Sequence, residues 1–430
     1  MSFHDSRDSI LANIAQQAAG VIIFLLVPAL LGVREYGQVI FVVTLISFVP
    51  FSDLGVSTVY NRKMPAIYAR GNEEEARTWN VTAFRFKLIG AVLFGVAAGL
   101  VYWGKYQGMF NALAFSLLMP LGAVISFFIA QRIVQGRFRQ ARDLTAIQAL
   151  SQLLLIPGAA FLSIAGWFAG QLIGIALLFF RKDLRTMAAE CLKRSASINW
   201  TLITANLPEA LMLSLISMLW LQLLSSGRLY AAFFYPDAVL AKYGLVNAIY
   251  QMGLSLVIAA FIPQTIKVYR MLEADATAAV EYALKSALIS MPVIWTFVVF
   301  CLLGVPPLLD IFYPKYQVEY GLFAPLILSL VNCAVMATLG SLLVGSGRYR
   351  LYLALLIGGW VSYWGVIKML GQETHFQAAA DAQLISLSLY SVALVWTVYA
   401  CFRRNIEKPW LVIASAAPSI AAPGVLYVLS

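Results

Sequence analysis

The sequence predicts an all-α polytopic membrane protein, because of its composition and its long apolar runs. Hydrophobic residues make up 61% of the 430-residue chain and charged residues 12%, whereas a soluble globular domain carries about 25% charged residues. The mean hydropathy is +0.81. Apolar runs long enough for a helix of about 20 residues to cross a bilayer recur along the chain. A soluble fold of this length cannot bury so much apolar surface, so soluble enzymes and binding domains are excluded.

The apolar runs predict at least twelve membrane-spanning helices. The runs are 10–31, 36–60, 81–103, 109–130, 144–180, 200–225, 241–262, 280–303, 320–344, 351–370 and 380–402. The run 144–180 is too long for one helix, and Pro157-Gly158 offers a turn within it. Basic clusters flank this run: Arg132, Arg137, Arg139 and Arg142 on one side, and Arg181, Lys182, Arg185, Lys193 and Arg194 on the other. Both clusters belong in the cytoplasm by the positive-inside rule, which requires two helices between them.

The same rule orients the whole chain. With two helices in the run 144–180, about 24 of the 30 lysines and arginines fall on one side of the membrane, which predicts a cytoplasmic N-terminus. The first segment lacks a small-residue cleavage site, so we expect a retained helix and not a signal peptide. The last run, Trp410–Leu429, contains Pro418 and Pro423 and is left open as a thirteenth crossing. The basic stretch 181–197 is amphipathic, which favours a helix lying along the membrane surface.

A weak internal repeat divides the chain into two halves. Tyr36-Gly37 opens the second predicted span and Tyr243-Gly244 opens the eighth, and each is followed by a basic rim and then an acidic helix start. Six spans precede Trp200 and six follow it in the same orientation, which is typical of a parallel repeat. We therefore predict six-helix bundles over 1–198 and 199–402, a C-terminal segment over 403–430, and a central cavity with alternating access.

Several motifs carry a resemblance to a known family. They are Glu35-Tyr36-Gly37-Gln38, Asp53-Leu54-Gly55, Asn61-Arg62-Lys63, the acidic 71–77 loop, Asp310-Ile311-Phe312-Tyr313-Pro314-Lys315-Tyr316 and Gly345-Ser346-Gly347-Arg348-Tyr349-Arg350. In this order the chain resembles an oligosaccharide flippase of the multidrug/oligosaccharidyl-lipid/polysaccharide (MOP) exporter superfamily. It departs from the pattern in a longer, more aromatic loop at 227–238 and in the extra C-terminal run.

The resemblance implies a function and a set of partners. It implies a bacterial inner-membrane protein that flips an undecaprenyl-pyrophosphate-linked oligosaccharide to the outer leaflet for O-antigen, capsule or exopolysaccharide assembly. The implied partners are that glycan, membrane lipids, and polysaccharide polymerase and chain-length proteins; nucleic acid is not among them. The implied protein is not an enzyme and needs no cofactor or metal, although a proton or sodium gradient is open as its energy source.

Such a substrate requires cations near its diphosphate and polar side chains near its sugars. The candidate substrate-binding residues are Arg62, Lys63, Arg85, Lys87, Arg132 and Gln251. For the cations, the alternative is that they anchor helix ends at the cytoplasmic interface. Residues two apart on a helix point about 200° apart, so only one of Arg85 and Lys87 can face a cavity. We favour Arg85 for the cavity and expect Lys87 to reach the lipid headgroups.

Three residues are candidates for gating or ion coupling: Asp53, Pro208 and Glu209. Ionisable groups deep in a membrane helix are costly and are usually functional. All three lie well inside their predicted helices. At a rise of 1.5 Å per residue, Asp53 is about 12 Å and Glu209 about 13 Å from the predicted helix end. Asp53 has three further interpretations: a partner for a cavity arginine, a protonated and hydrogen-bonded acid, or an acid that caps a break at Gly55. Pro208 removes a backbone donor and is expected to disrupt its helix, as part of a site or as a hinge.

Two other functions fit the composition less well. An ion-coupled multidrug exporter of the same superfamily would favour acidic, aromatic cavities over the cations at the predicted inner mouth. A membrane polysaccharide polymerase or ligase belongs to another class and would carry a large outer catalytic loop, whereas the predicted outer loops are short and His375 is their only histidine. The sequence has no P-loop and no metal-binding motif, which argues against ATP-driven transport.

Overall fold

The computed structural model describes residues 3–192, 197–371 and 377–429, and this part of the chain is helical with no β-strand. The predicted all-α class is confirmed. Within the described residues, ten helices are long and apolar enough to cross a membrane, and Ala15–Leu30, the later part of the first helix, is a shorter apolar segment. The protein is therefore a multi-pass membrane protein. Lys193, Arg194 and His375, which the sequence arguments used, lie outside the described residues.

The chain forms two compact units, Met1–Leu215 and Ile216–Ser430. The helices that begin in the first unit are α1 Phe3–Leu30, α2 Val33–Ile46, α3 Val56–Ala69, α4 Glu73–Tyr106, α5 Met109–Val134, α6 Phe138–Gln152, α7 Leu155–Leu178, α8 Lys182–Leu192 and α9 Trp200–Leu224. The boundary between the units lies within α9, so the N-terminal part of that helix, including Glu209, belongs to the first unit. The division into two six-helix bundles at 198/199 stays a prediction.

The run 144–180 forms a helical hairpin, as the flanking charges require. The chain reverses at Leu162 and Ser163, whose backbone is not helical, and not at the predicted Pro157-Gly158 turn. Opposed backbones show the reversal: a Cβ on Gly158 would lie 2.1 Å from the Gly166 carbonyl oxygen, and one on Gly170 would lie 2.5 Å from that of Leu154. Small residues allow this close approach between membrane helices.

Glu35, the first residue of one resemblance motif, joins that hairpin to α2. Its carboxylate accepts the backbone N–H of Gly32 at 2.9 Å and the hydroxyl of Ser163 at the hairpin tip. Gly32 precedes α2, where the first N–H groups have no partner within the helix. The motif therefore both caps α2 and fixes the α7 reversal.

The second unit contains α10 Ser226–Phe234, α11 Asp237–Ala274, α12 Ala276–Phe312, α13 Tyr320–Leu328, α14 Leu330–Gly345, α15 Tyr349–Leu370, α16 Ala378–Phe402 and α17 Trp410–Leu429. The aromatic segment 227–238, expected to be a loop, largely forms α10, which packs on α11 and α16. The predicted span 320–344 is interrupted at Ser329 between α13 and α14. The C-terminal run is helical and packs on α12, α14 and α16, with Ser415, Ser419 and Ala422 fully buried.

The two acidic helix starts of the internal repeat have matching caps. Asn72 accepts the backbone N–H of Glu75 at 3.2 Å ahead of α4. Asp275 accepts the N–H groups of Thr277 and Ala278 at 2.8 and 3.2 Å ahead of α12. Such caps satisfy the unpaired donors of a first helical turn. The repeat thus marks the same local event, the start of a long helix, in each unit.

Candidate functional site

The helix predicted over 36–60 is interrupted at Asp53. α2 ends at Ile46, a 3-10 turn covers Val49–Phe51, and α3 begins at Val56. Leu54 and Gly55 have positive φ angles of 52° and 84°, a left-handed backbone that cannot continue a right-handed helix. The prediction of one continuous helix is therefore wrong at this point. α3 continues to Ala69, which places Arg62 and Lys63 in the middle of a helix and not at its end.

Asp53 caps the new helix. Its side chain is almost fully buried, with 1% exposed. One carboxylate oxygen accepts the backbone N–H of Gly55 at 3.1 Å, and the other accepts the N–H of Ser57 at 3.2 Å together with the Ser57 hydroxyl. A carboxylate at a helix N-terminus satisfies unpaired donors and is stabilised by the helix dipole. This is the capping contact at Gly55 that the sequence left open as one alternative; gating and coupling stay predictions.

Two glycines hold this break between neighbouring helices. A Cβ added at Gly90 of α4 would lie 2.1 Å from the Ser52 carbonyl oxygen, and one at Gly55 would lie 2.1 Å from that of Ala210 in α9. Real Cβ atoms essentially never come within 3.0 Å of such an atom. The backbone on either side of Asp53 therefore touches α4 and α9 directly, and neither Gly55 nor Gly90 can be a larger residue without a backbone shift.

Arg62 and Lys63 bind the polar face of α9. The Arg62 guanidinium forms an ion pair with Glu209, and the Lys63 ammonium donates to the side-chain oxygen of Asn206. Asn206 in turn donates to the Leu202 carbonyl at 2.7 Å. The Arg62 side chain is 55% exposed and that of Glu209 is 33% exposed, so the pair is accessible to solvent or ligand. Glu209 and Arg62 thus meet within the first unit.

Pro208 does not break α9. The helix runs without interruption from Trp200 to Leu224, so the predicted disruption is not found, although the missing N–H still removes one hydrogen bond. α9 lies antiparallel to α3, because Gly55 faces Ala210 and Ser214 while Lys63, further along α3, meets Asn206. The gating role of Pro208 stays a prediction.

Arg85 and Lys87 have different surroundings, as their spacing requires. Arg85 donates through Nε to the Cys191 carbonyl at 2.8 Å, and so binds the last turn of α8, where carbonyls lack helical partners. Lys87 is the buried member, with 9% exposed, and its ammonium lies within Coulombic range of Asp53. The expectation that Lys87 reaches the lipid headgroups is therefore wrong, because Lys87 is buried. The cavity role favoured for Arg85 stays a prediction, and its observed partner is the end of α8.

The last two candidates have other partners. Arg132 at the end of α5 is 8% exposed and donates to Gln135 at 3.4 Å and to the Met187 sulfur of α8 at 3.0 Å. Gln251 belongs to the second unit, where it donates to the Ser225 hydroxyl at 3.4 Å. The structure brings together Asp53 with Lys87, and Arg62 and Lys63 with Asn206 and Glu209. Sequence reasoning missed Ser57, although its position four residues after Asp53 is a capping signal.

Compared by sequence, the chain matches no protein-family model and no curated protein. Compared by structure, it is similar to three solved proteins over nearly its whole length. The lipid II flippase MurJ in an inward closed conformation gives a TM-score of 0.69 at 10% identity, covering 100% of this chain and 98% of that one. A mutant of the Vibrio cholerae MATE transporter VcmN gives 0.63 at 15% identity, covering 96% and 97%.

The third solved structure is a multidrug resistance MATE family transporter of the MOP superfamily, in an inward-facing conformation. Its TM-score is 0.60 at 16% identity, and the match covers 92% of this chain and 94% of that one. The chain has the fold that these three solved structures share. The expected fold is thereby confirmed, and the proteins that share it here are two MATE transporters and a lipid II flippase.

Proposed function

We propose that this protein moves an undecaprenyl-pyrophosphate-linked oligosaccharide from the cytoplasmic to the outer leaflet of a bacterial inner membrane, by alternating access, for O-antigen, capsule or exopolysaccharide assembly. The observation that carries the proposal is the pair of α3 cations, Arg62 and Lys63, held against α9 with one of them half-exposed. The fold shared with MurJ, described as a lipid II flippase, supports a lipid-linked substrate.

The Arg62–Glu209 pair suits reversible binding of a diphosphate. An exposed ion pair contributes only about 0–1 kcal/mol, so a doubly charged diphosphate can displace the Glu209 carboxylate at little cost. The arginine fork binds phosphate oxygens bidentately, and the neighbouring Lys63 adds a second charge. Substrate binding would then release α3 from α9, which links recognition of the diphosphate to a movement of these helices.

We infer that an ion gradient drives the transport. The sequence carries no P-loop, and two buried ionisable groups, Asp53 at the α2–α3 break and Lys87 on α4, lie within Coulombic range of each other. A proton or a sodium ion that neutralised Asp53 would weaken the cap of α3 and its attraction to Lys87. Collapse of the proton gradient, and separately of the sodium gradient, should identify the ion by which treatment stops transport in sealed vesicles.

The proposal is tested by deletion of the gene. Lipid-linked repeat units should accumulate in the inner leaflet, out of reach of membrane-impermeant periodate added to spheroplasts, and surface polysaccharide should be lost. Restoration by the wild-type gene, but not by an Arg62→Ala, Lys63→Ala double variant, would support the assigned site. A normal periodate-accessible pool in the deletion strain would overturn the proposal.

The second candidate is an ion-coupled multidrug exporter, which the two MATE structures favour. Exporters of cationic drugs need acidic side chains free to meet the drug, whereas Asp53 already accepts three hydrogen bonds and the Arg62 guanidinium beside Glu209 would repel a cation. The same deletion strain separates the two functions: increased sensitivity to cationic dyes with unchanged surface polysaccharide would favour the exporter.

A further inference from the structure

The first unit contains a polar cavity whose lining includes Gln135, Met187 and Cys191, the partners of Arg132 and Arg85. It measures about 630 Å³ and is bounded by the end of α3, the start of α4, the end of α5 and α8. Its size falls within the range of about 300–1,000 Å³ that small-molecule sites occupy. By the positive-inside prediction this end of the unit faces the cytoplasm.

The lining matches an uncharged polar ligand. Four amides and one tyrosine line the cavity, and two arginines are balanced by two glutamates. A site for a diphosphate would carry an excess of cations, and a site for a cationic drug an excess of acids. Amide side chains both donate and accept hydrogen bonds, as sugar hydroxyl groups do.

A hydrogen-bonded network fixes the polar side chains. Tyr60 donates to the Asn80 oxygen at 2.6 Å, and the Asn80 nitrogen donates to the Tyr68 hydroxyl at 2.9 Å. Gln135 also donates to the Tyr68 hydroxyl, at 3.0 Å. Because the Tyr68 oxygen accepts two hydrogen bonds, its own proton remains to be donated to a ligand.

Gln131 supplies the complementary acceptor. The residue is 7% exposed, and its side-chain oxygen is buried without a hydrogen-bond partner, an arrangement that costs about 1–3 kcal/mol. Gln131 is one of the residues that line the cavity, so a rotation of its side chain would bring this oxygen to a ligand hydroxyl group.

We propose that this cavity binds the neutral, polyhydroxylated part of a glycan on the cytoplasmic face, before the glycan crosses the membrane. The inference rests on the proposed function for the source of the glycan. It adds a subsite within the first unit, separate from the Arg62 and Lys63 cluster, that recognises sugar hydroxyls and not the diphosphate.

The test is a binding measurement on the full-length protein in lipid nanodiscs, which avoids detergents with sugar headgroups. The probe is the mixture of oligosaccharides that mild acid releases from the polyprenyl-linked glycans of the source membrane, separated into neutral and acidic fractions. Saturation-transfer NMR should detect binding of the neutral fraction. Gln131→Leu should weaken it about tenfold, as expected for one lost hydrogen bond to a buried partner.

A second variant guards against misfolding of the first. Arg77 lines the cavity and is exposed, so Arg77→Trp should fill the opening and abolish binding without disturbing the core. Gln140→Leu is the matched control, since Gln140 is exposed on α6 and does not line the cavity. It should bind as the wild type does.

Three outcomes would overturn the inference: no oligosaccharide binds, only the acidic fraction binds, or both cavity variants bind the neutral fraction unchanged. Native mass spectrometry that finds a phospholipid retained by the wild type and lost from Gln131→Leu would likewise assign the cavity to a lipid. Because no transport is measured, a failure here leaves the deletion experiment intact, and a failed deletion experiment leaves this binding result intact.

Discussion

Replacement of Gly55 by alanine should destabilise the first unit more than any other single methyl group added near the α2–α3 break. Gly55 has a φ of 84°, and its added Cβ would lie 2.1 Å from the Ala210 carbonyl oxygen. The left-handed backbone costs a non-glycine residue about 1–2 kcal/mol, and the forced retreat of α9 costs about 1–3 kcal/mol more. The expected loss is therefore about 2–5 kcal/mol.

Two other glycines allow the backbone cost and the steric cost to be measured separately. Gly71 also has a positive φ, 68°, but a Cβ there would meet nothing within 4 Å, whereas Gly90 would meet the Ser52 carbonyl oxygen at 2.1 Å with no positive φ. Gly71→Ala should therefore show only the backbone cost, about 1–2 kcal/mol, and Gly90→Ala only the steric cost, about 1–3 kcal/mol.

Thermal unfolding of the purified variants, followed by fluorescence-detected size exclusion, measures the effect. At about 2–4 °C per kcal/mol for a unit of this size, Gly55→Ala should lower the Tm by roughly 4–20 °C and Gly71→Ala by roughly 2–8 °C. The reasoning is refuted if Gly55→Ala melts at the wild-type temperature, or if Gly71→Ala loses as much as Gly55→Ala does.

The remaining predictions concern the charged residues and the thiol of the first unit. Asp53→Asn should fold, because the amide oxygen still accepts a backbone N–H, while Asp53→Leu leaves the donors of Gly55 and Ser57 unpaired and should cost about 1–3 kcal/mol in thermal unfolding. Arg62→Glu should abolish complementation of the deletion strain, and adding Glu209→Arg should re-form an ion pair that contributes only about 0–1 kcal/mol to stability. Burial, more than the nearby Glu190, raises the pKa of the Cys191 thiol to about 11, so a variant with Cys191 as its only cysteine should react with maleimide at pH 8 about 100-fold more slowly when folded than when unfolded.

Each of these predictions has an opposing outcome. Full transport by both Asp53 variants with normal folding would exclude Asp53 from transport and leave it a structural cap. Wild-type complementation by Arg62→Glu would remove this residue from the substrate site. The raised thiol pKa also predicts how the stability of the fold depends on pH. The Cys191 thiol ionises at a lower pH in the unfolded chain, so its contribution to stability is present below about pH 9 and is lost as the pH rises towards 11. Equal labelling rates in the folded and unfolded states would contradict the burial of this thiol.

Much of the fold follows from features that are local in sequence. Hydropathy over 20-residue windows located helices such as Met109–Val134 and Tyr349–Leu370 to within a few residues, because every helix that crosses the bilayer needs a similar apolar length. The charges flanking 144–180 by themselves require two helices within this run. The place of the reversal, at Ser163 and not at Pro157, was not predictable, since it depends on Glu35 more than a hundred residues away.

The sequence by itself determined the class of the protein, its helices and the residue types that a transport site needs. Only the tertiary structure decided their partners: that Asp53 caps α3, that Lys87 lies within Coulombic range of Asp53, and that Arg62 and Lys63 bind α9. The physical reason is that hydropathy and helix periodicity act within one segment. The contacts of a charged side chain depend instead on which backbones approach closely. Here Gly55 and Gly90 allow the backbone beside Asp53 to approach α9 and α4.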